Sequence, residues 1–171
     1  NNIGYILTTK QYIYATKDGG ISWKGNVDLA FNNAFAAFGN NAWVDLSTDV
    51  SSTKNGGDTW ERSMIDTIKK PNFSGSIWGL YMSSPTKGQL LKGNRLYYIN
   101  GSFAPEDIIP EFESIYSSAI YKIYGFWKMS NIDEFNLIIY GFVEYKDGQH
   151  KIIIAHKKDG IFNEYEANIP I

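Results

Sequence analysis

Six carboxylates in this chain could do acid–base chemistry together. Hydrolysis of a glycosidic bond needs two carboxyl groups about 5 to 9.5 Å apart across a cleft, one as acid and one as base or nucleophile. The candidates are Glu106, Asp107, Glu111, Glu113, Asp133 and Glu134. Because they are adjacent or close in sequence, a solvated face or a cluster at the first turn of a helix is the simpler interpretation.

The histidines and a serine pattern do not predict a second kind of catalytic site. His150 and His156 are six residues apart, which in one straight strand places both rings on one face about 20 Å apart. They cannot share a metal ion at that distance. The stretch 75–79 differs from a serine nucleophile elbow because its serine lies one place early. The sequence therefore predicts neither a metal nor a cofactor.

Aromatic side chains are the better candidates for recognition. Tyrosine and tryptophan bury a large area for little lost rotamer freedom and keep a polar atom. The candidate binding residues are Phe112, Tyr116, Tyr121, Tyr124 and Trp127. Their uneven spacing should place some rings outward, although an aromatic-rich core is the competing interpretation. A protein is the expected partner, and a glycan is the alternative.

Composition excludes further functions. The 171 residues suit one domain spanning 1–171. A formal charge of −2 with scattered positive residues argues against nucleic acid as a partner. The chain contains no run of eighteen apolar residues, so the sequence predicts no membrane-spanning helix. The absence of cysteine removes disulfides, thiol nucleophiles and cysteine-based zinc sites.

Two similar octapeptides, Thr16–Trp23 and Thr53–Trp60, lie thirty-seven residues apart and predict the elements that position these side chains. In each, an Asp or Asn accepts local backbone hydrogen bonds and two glycines supply positive φ angles, as a tight hairpin turn requires. The tryptophan starts the return strand and covers the turn. The residues that build these corners are Thr16, Asp18, Gly19, Gly20, Ser22, Trp23, Thr53, Asn55, Gly56, Gly57, Thr59 and Trp60. Their expected role is structural.

The pattern Ser/Thr-x-Asp/Asn-Gly-Gly-x-Ser/Thr-Trp resembles the Asp-box, or BNR, repeat of sialidases, sortilin-type receptor domains and photosystem assembly factors similar to Ycf48. The resemblance is close over residues 1–63, and Ala155–Phe162 resembles a decayed copy with one glycine and no tryptophan. It implies a β-propeller. Because the resembled families are usually exported, it also implies a periplasmic or extracellular location.

A sialidase-like activity does not follow from the resemblance. The site of that family holds a carboxylate with three arginines, whereas this chain has only Arg62 and Arg95. Lysine cannot replace the planar, bidentate guanidinium in such a clamp. A complete sialidase site therefore cannot be built from these residues.

The rest of the chain shows a succession of short apolar and aromatic strands separated by glycine, asparagine and aspartate turns. The 37-residue period is close to the unit of about 40 to 50 residues that forms one four-stranded propeller blade, which leaves room for about four blades. We therefore predict an all-β, small propeller-like domain of antiparallel meander sheets with Asp-box hairpins. A β-sandwich, a barrel or a fragment of a larger propeller are the alternatives.

Residues 102–118 interrupt this succession of strands and turns. Early prolines and carboxylates in a first turn predict an inserted loop or a short helical segment. Such an insertion either connects strands or carries recognition.

Together these observations favour a non-catalytic binding protein that recognises another protein, as an assembly, scaffold or enzyme-neutralising factor. The alternative is a carbohydrate-active hydrolase or a glycan-binding domain. A structure with two carboxylates across a deep cleft would favour the alternative.

Overall fold

The computed structural model describes residues 2–8, 12–28, 34–46, 49–63, 77–93, 95–101, 103, 108–113, 121–133, 135–145 and 147–168. Over these residues the chain forms four antiparallel sheets and no helix. None of the described residues therefore forms a helix that is long and apolar enough to cross a membrane. The prediction of an all-β fold of antiparallel meander sheets is confirmed.

Each sheet is a meander, in which strands that follow one another in the chain are neighbours. Sheet 1 contains β1 (Gly4–Leu7), β2 (Tyr12–Thr16) and β3 (Lys24–Asp28). Sheet 2 contains β4 (Phe35–Phe38), β5 (Asn41–Leu46), β6 (Asp49–Thr53) and β7 (Glu61–Ser63). Sheet 3 contains β8 (Ile77–Ser84), β9 (Lys87–Lys92), β10 (Arg95–Asn100) and β11 (Ile108–Glu113). Sheet 4 contains β12 (Tyr121–Asn131), β13 (Leu137–Tyr145), β14 (His150–Lys158) and β15 (Ile161–Asn168).

The sheets pack on one another in chain order, and an apolar layer lies between each consecutive pair. Ile13 of sheet 1 and Val44 of sheet 2 share the first layer. Trp43 of sheet 2 lies in the second layer with Leu90 of sheet 3. Leu91 of sheet 3 packs with Ile139 of sheet 4 in the third layer. Because side chains alternate along a strand, sheets 2 and 3 each use both faces for packing.

The first strands of sheets 2, 3 and 4 bring these sheets closest together, since β8 contacts both β4 and β12. Gly79 in β8 makes the second contact possible. A Cβ atom at this position would lie 2.8 Å from the Cβ of Met129 in β12. Any larger residue would therefore push sheets 3 and 4 apart.

The helical prediction for 102–118 is wrong at Ile108–Glu113, which form β11. Buried Ile108 pairs with Ile99 of β10, so burial against the sheet overrides the helix-start pattern. Pro110 is tolerated because β11 is an edge strand and its register with β10 shifts near this residue. Of the remaining residues of the segment, only Phe103 is described.

Candidate functional site

The first corner connects β2 to β3 and is held by its own side chains. The Thr16 hydroxyl donates to Oδ1 of Asp18 at 2.7 Å and accepts from the amide of Gly20 at 2.9 Å. Asp18 also accepts from the amide of Ser22 at 2.9 Å and from its hydroxyl. The indole of Trp23 donates to the Gly20 carbonyl at 3.1 Å, and β3 begins one residue later.

These contacts shift the acidity of Asp18. The hydrogen bond from the Ser22 hydroxyl, followed by those from the Ser22 amide and the Thr16 hydroxyl, holds the pKa of the Asp18 carboxyl well below its usual value. A general acid would need the opposite shift. The carboxylate is therefore suited to holding the turn.

The second corner connects β6 to β7 and makes the same contacts with a neutral side chain. The Thr53 hydroxyl donates to Oδ1 of Asn55 at 2.9 Å and accepts from the amide of Gly57 at 3.0 Å. Asn55 accepts from the Thr59 amide at 3.1 Å and donates to its hydroxyl at 2.8 Å. Because an amide replaces the carboxylate without loss of these bonds, the corner does not need a charge.

One backbone hydrogen bond recurs in every sheet. In sheets 2 to 4 it joins the connection between the third and fourth strands to the turn between the first and second. The donor amides and acceptor carbonyls are Gly19 to Asn2 (2.8 Å), Gly56 to Asn40 (3.0 Å), Gly101 to Thr86 (2.7 Å) and Gly160 to Phe135 (3.3 Å). All four glycines have positive φ. The repeat is therefore fourfold in structure, although only sheets 1 and 2 carry complete octapeptides.

The first two corners are also joined to each other. Lys17 of the first corner forms a salt bridge with Asp58 of the second, and both side chains are about half exposed. This hydrogen bond is the main cause of the lowered pKa of the Asp58 carboxyl. The two corners and the ion pair thus form one continuous surface at one end of sheets 1 and 2.

A different feature occupies the corresponding end of sheets 3 and 4, namely a cleft of about 320 Å³. It is lined by Tyr98, Ile109, Pro110, Glu111, Phe135 and Lys157. Ile109 and Phe135 are 46% and 57% exposed. The cleft therefore presents large apolar side chains to solvent.

A hydrogen-bonded chain of side chains lies beside the cleft and crosses from sheet 4 to sheet 3 and back. Asn131 donates to Gln89 at 2.6 Å, and Gln89 donates to Oε2 of Glu111 at 3.1 Å. Lys157 forms a salt bridge with Oε1 of Glu111. Gln89 and Lys157 are buried. Both carboxylate oxygens of Glu111 are therefore engaged by donors, and its charge is balanced by Lys157.

The described residues do not place two carboxylates across this cleft. Among the described residues, Glu111 is the only acid that lines it. Asp133 instead binds its own turn, and hydrogen bonds from the Asn136 side chain and the Phe135 amide keep the pKa of its carboxyl low. Glu106, Asp107 and Glu134, and the side chain of Glu113, lie outside the described part of the chain.

Neither histidine belongs to a described group of side chains that could bind a metal ion. The His150 ring stacks on Phe142 at 5.2 Å. His156 lies opposite Ile138 in the adjacent strand. Among the residues that the structure describes, no group of three His, Asp or Glu side chains is placed to hold a metal ion.

The predicted aromatic binding residues fall into two groups. Phe112 is partly buried against the layer between sheets 3 and 4, where its ring stacks on Phe162 at 4.3 Å. Tyr116 lies outside the described residues. Tyr121, Tyr124 and Trp127 lie in β12, but their side chains are not among those that the structure describes. Phe112 therefore packs sheet 3 against sheet 4.

The residues that line the cleft were not predicted from the sequence as a set. Glu111 and Lys157 are separated by 46 residues, and no local pattern connects them. Two signals touch the cleft: Glu111 is one of the six candidate carboxylates, and residues 102–118, for which the sequence predicts either a connection or a recognition loop, contribute Ile109 and Pro110. Phe135 gave no signal beyond its position beside a turn.

Solved structures show which fold this is. The structure "YCF48 bound to D1 peptide" has a TM-score of 0.59 at 12% identity, covering 97% of this chain and 65% of that chain. YCF48 from Cyanidioschyzon merolae has a TM-score of 0.62 at 16% identity, covering 98% of this chain and 53% of that one. The chain has a propeller-like fold. The propeller prediction is thereby confirmed, and the chain spans between about half and two thirds of these neighbours.

These similarities concern the fold alone, because both identities are low. No protein-family model matches the chain, and no curated protein matches it.

Proposed function

We propose that this chain is a non-catalytic binding protein that recognises a segment of another protein in the cleft between sheets 3 and 4. The observation that carries the proposal is the exposure of Ile109 and Phe135 on either side of a cleft next to a balanced Glu111–Lys157 pair. Large apolar side chains in a pocket are the usual anchors of protein interfaces. In this proposal the two octapeptide corners are Asp-box repeats that fold the scaffold.

The electrostatics of the cleft favour an uncharged, apolar segment. Lys157 already neutralises Glu111, so a charged ligand group would have to break that pair to gain a partner. The hydroxyl of Tyr98 and the outer atoms of the pair can still orient a peptide backbone. Apolar side chains from the partner would then pack on Ile109 and Phe135.

The edge of sheet 3 favours recognition through side chains. Pro110 has no amide hydrogen, so β11 cannot present a complete row of donors to an added strand. The partner segment would lie across the end of the sheets. It would not extend sheet 3 as a fifth strand.

A solved neighbour supports a peptide as the class of ligand, since that YCF48 structure is bound to D1 peptide. By analogy with the fold, we place this chain among assembly or scaffold factors, or among proteins that neutralise a partner enzyme. We also propose that it acts outside the cytoplasm, as families with the Asp-box usually do.

Selection from a phage-displayed library of random peptides tests the proposal. The peptides that the chain enriches are synthesised and titrated by calorimetry against the chain and against Phe135→Ser and Ile109→Ser. Loss of a central apolar anchor should weaken binding at least about tenfold. Ile21→Ser is the matched control, because Ile21 is 88% exposed at the first corner.

Three outcomes contradict the proposal. The first is a library that yields no peptide whose binding depends on the cleft residues. The second is a loss of binding in Ile21→Ser with none in the cleft variants. The third is a glycan-array ligand that competes for Ile109 and Phe135, which would favour the glycan alternative.

A further inference from the structure

The chain contains two Asn-Gly pairs. Asn55–Gly56 lies between β6 and β7, and Asn100–Gly101 ends β10 and begins the connection to β11. Asparagine loses its side-chain amide most readily before glycine, because glycine has no Cβ to shield its nitrogen or to restrict the backbone. The glycine nitrogen attacks Cγ of the asparagine, ammonia leaves, and a cyclic succinimide remains. Water then opens the ring to aspartate, or to isoaspartate, in which the backbone runs through the former side chain.

The attacking nitrogen is held in the same way in both pairs. The Gly56 amide donates to the Asn40 carbonyl at 3.0 Å, and the Gly101 amide donates to the Thr86 carbonyl at 2.7 Å. In each pair this bond has to open locally before the nitrogen loses its proton and attacks. Any difference in reactivity between the two pairs therefore comes from the asparagine side chains and from their surroundings.

The side chain of Asn55 is fixed by the second corner. Its Oδ1 accepts from the Thr53 hydroxyl at 2.9 Å and from the Thr59 amide at 3.1 Å, and its Nδ2 donates to the Thr59 hydroxyl at 2.8 Å. Gly56 is buried, and the side chain of Lys17 lies over it, since an added Cβ would lie 2.8 Å from Cε of that lysine. Cγ of Asn55 therefore turns towards the nitrogen only when these bonds break, and the nitrogen is shielded from base.

The side chain of Asn100 has none of these restraints. Asn100 is the exposed last residue of β10, and Gly101 is only half-buried. Among the described residues, no hydrogen bond holds the Asn100 side chain. Once the backbone bond of Gly101 opens, Cγ of Asn100 is therefore free to rotate towards the nitrogen in contact with solvent.

We propose that Asn100 is a site of spontaneous deamidation to aspartate and isoaspartate, and that the second corner protects Asn55 from the same reaction. Aspartate at position 100 would lie opposite Lys87 of β9, and opposite charges in paired strands are favourable. Isoaspartate instead adds a carbon to the backbone beside Ile99, whose pairing with Ile108 begins β11. The isoaspartate form therefore weakens the attachment of β11 to sheet 3, whatever the cleft binds.

Peptide mapping by mass spectrometry after incubation of the 171-residue chain at mildly alkaline pH tests the proposal. In the folded chain we expect deamidation at Asn100 to be at least about tenfold faster than at Asn55, whose side-chain hydrogen bonds have to break first. In guanidinium chloride the two rates should be similar, because both asparagines precede glycine. Thr53→Val and Thr59→Val each remove a hydroxyl from the corner and should speed the reaction at Asn55, with Asn100 as the internal control.

Equal rates at Asn55 and Asn100 in the folded chain would overturn the proposal. So would an Asn100 that reacts only in guanidinium chloride, which would show that the backbone bond of Gly101 is sufficient protection. Hydrogen–deuterium exchange tests the effect on β11. Exchange at Ile108–Glu113 should be faster in incubated chains than in fresh ones, whereas Asn100→Asp, which carries the charge without the added carbon, should match fresh wild type. Equal exchange in incubated and fresh chains would contradict the weakening of β11.

Discussion

The two halves of this propeller-like fold differ in the polar contacts that hold the same end of their sheets. In sheets 1 and 2 each corner is tied by side chains that lie two to four residues from the groups they bind, as Thr53 and Asn55 show. In sheets 3 and 4 the ties reach across sheets, from Gln89 to Asn131 and from Glu111 to Lys157, over 42 and 46 residues. The corners of the first half are thus held locally, whereas the buried polar contacts of the second half exist only after the sheets have packed.

The difference shows where binding is possible. Between the corners of sheets 1 and 2 the open space is about 160 Å³, and its lining includes the charged side chains of Lys17, Lys24 and Asp58. Sheets 3 and 4 have no complete octapeptide, and their connections leave the cleft beside Ile109 and Phe135. The half without a complete octapeptide is therefore the half with the apolar cleft of about 320 Å³.

The largest expected effect comes from Glu111→Ala. This change removes the carboxylate from the buried ammonium of Lys157, and we expect a loss of about 3 kcal/mol in the free energy of unfolding measured with urea. The double variant Glu111→Met, Lys157→Met should recover part of that loss, because it leaves no buried charge. Lys17→Ala breaks the exposed pair of the other half and should change stability little. Equal losses in Lys17→Ala and Glu111→Ala would remove the distinction between the two halves.

Alanine at a corner glycine should have a smaller effect, and it should differ between the halves. Gly56 and Gly160 both have positive φ, which costs alanine about 1 to 2 kcal/mol. At Gly56 the added Cβ would also lie 2.8 Å from Cε of Lys17, whereas at Gly160 nothing lies within 4 Å. Thermal unfolding should therefore show a greater loss for Gly56→Ala. If the excess persists in Lys17→Ala, the crowding of Lys17 is not its cause.

Loss of the Asn55 side chain should cost about 1 kcal/mol, since it removes hydrogen bonds that hold an exposed corner. Asn55→Asp should be close to neutral at pH 7, because Asp18 makes equivalent contacts in the first corner. Denaturant titration of the two variants measures both effects. A severe loss in Asn55→Asp would show that the corners are not equivalent.

The smallest effect concerns pH. The pKa of Asp18 is lower in the folded chain than in the unfolded chain, so its stabilising effect is complete above the unfolded pKa of about 4 and disappears as the pH falls through the folded pKa. Asp18→Asn keeps an acceptor and removes the titration. The difference in melting temperature between wild type and Asp18→Asn should shrink below about pH 4. A difference that is constant with pH would contradict the role given to the carboxylate.

The fold was largely predictable because its signals are local. The glycine pairs, the Asx residues and the strand alternation each act within a few residues, and all of them are visible in Thr16–Trp23. Gly101 in sheet 3 donates the same backbone bond as Gly19, and the pair Asn100 and Gly101 does predict a turn, but no octapeptide surrounds it to identify the turn as a repeat corner. The backbone hydrogen bond and the positive φ of the corner are repeated there without the complete octapeptide that would identify the corner in the sequence.

The cleft was not predictable for the opposite reason. Ile108–Glu113 carries the proline and carboxylates of a helix start, yet burial of Ile108 makes it an edge strand. The partnership of Glu111 with Lys157 depends on how sheets 3 and 4 face each other. A single sequence holds no spacing rule for such a contact.

The central claim is that a peptide binds in the cleft and does not bind at the corners. Hydrogen–deuterium exchange with and without a selected peptide tests it most directly, because exchange is measured at the cleft and at both corners in one experiment. The account predicts protection at Ile108–Glu113 and around Phe135, with no change at the two corners, residues 16–23 and 53–60. Protection at the corners, with none at the cleft, would show that the repeats themselves are the binding surface and would contradict the account.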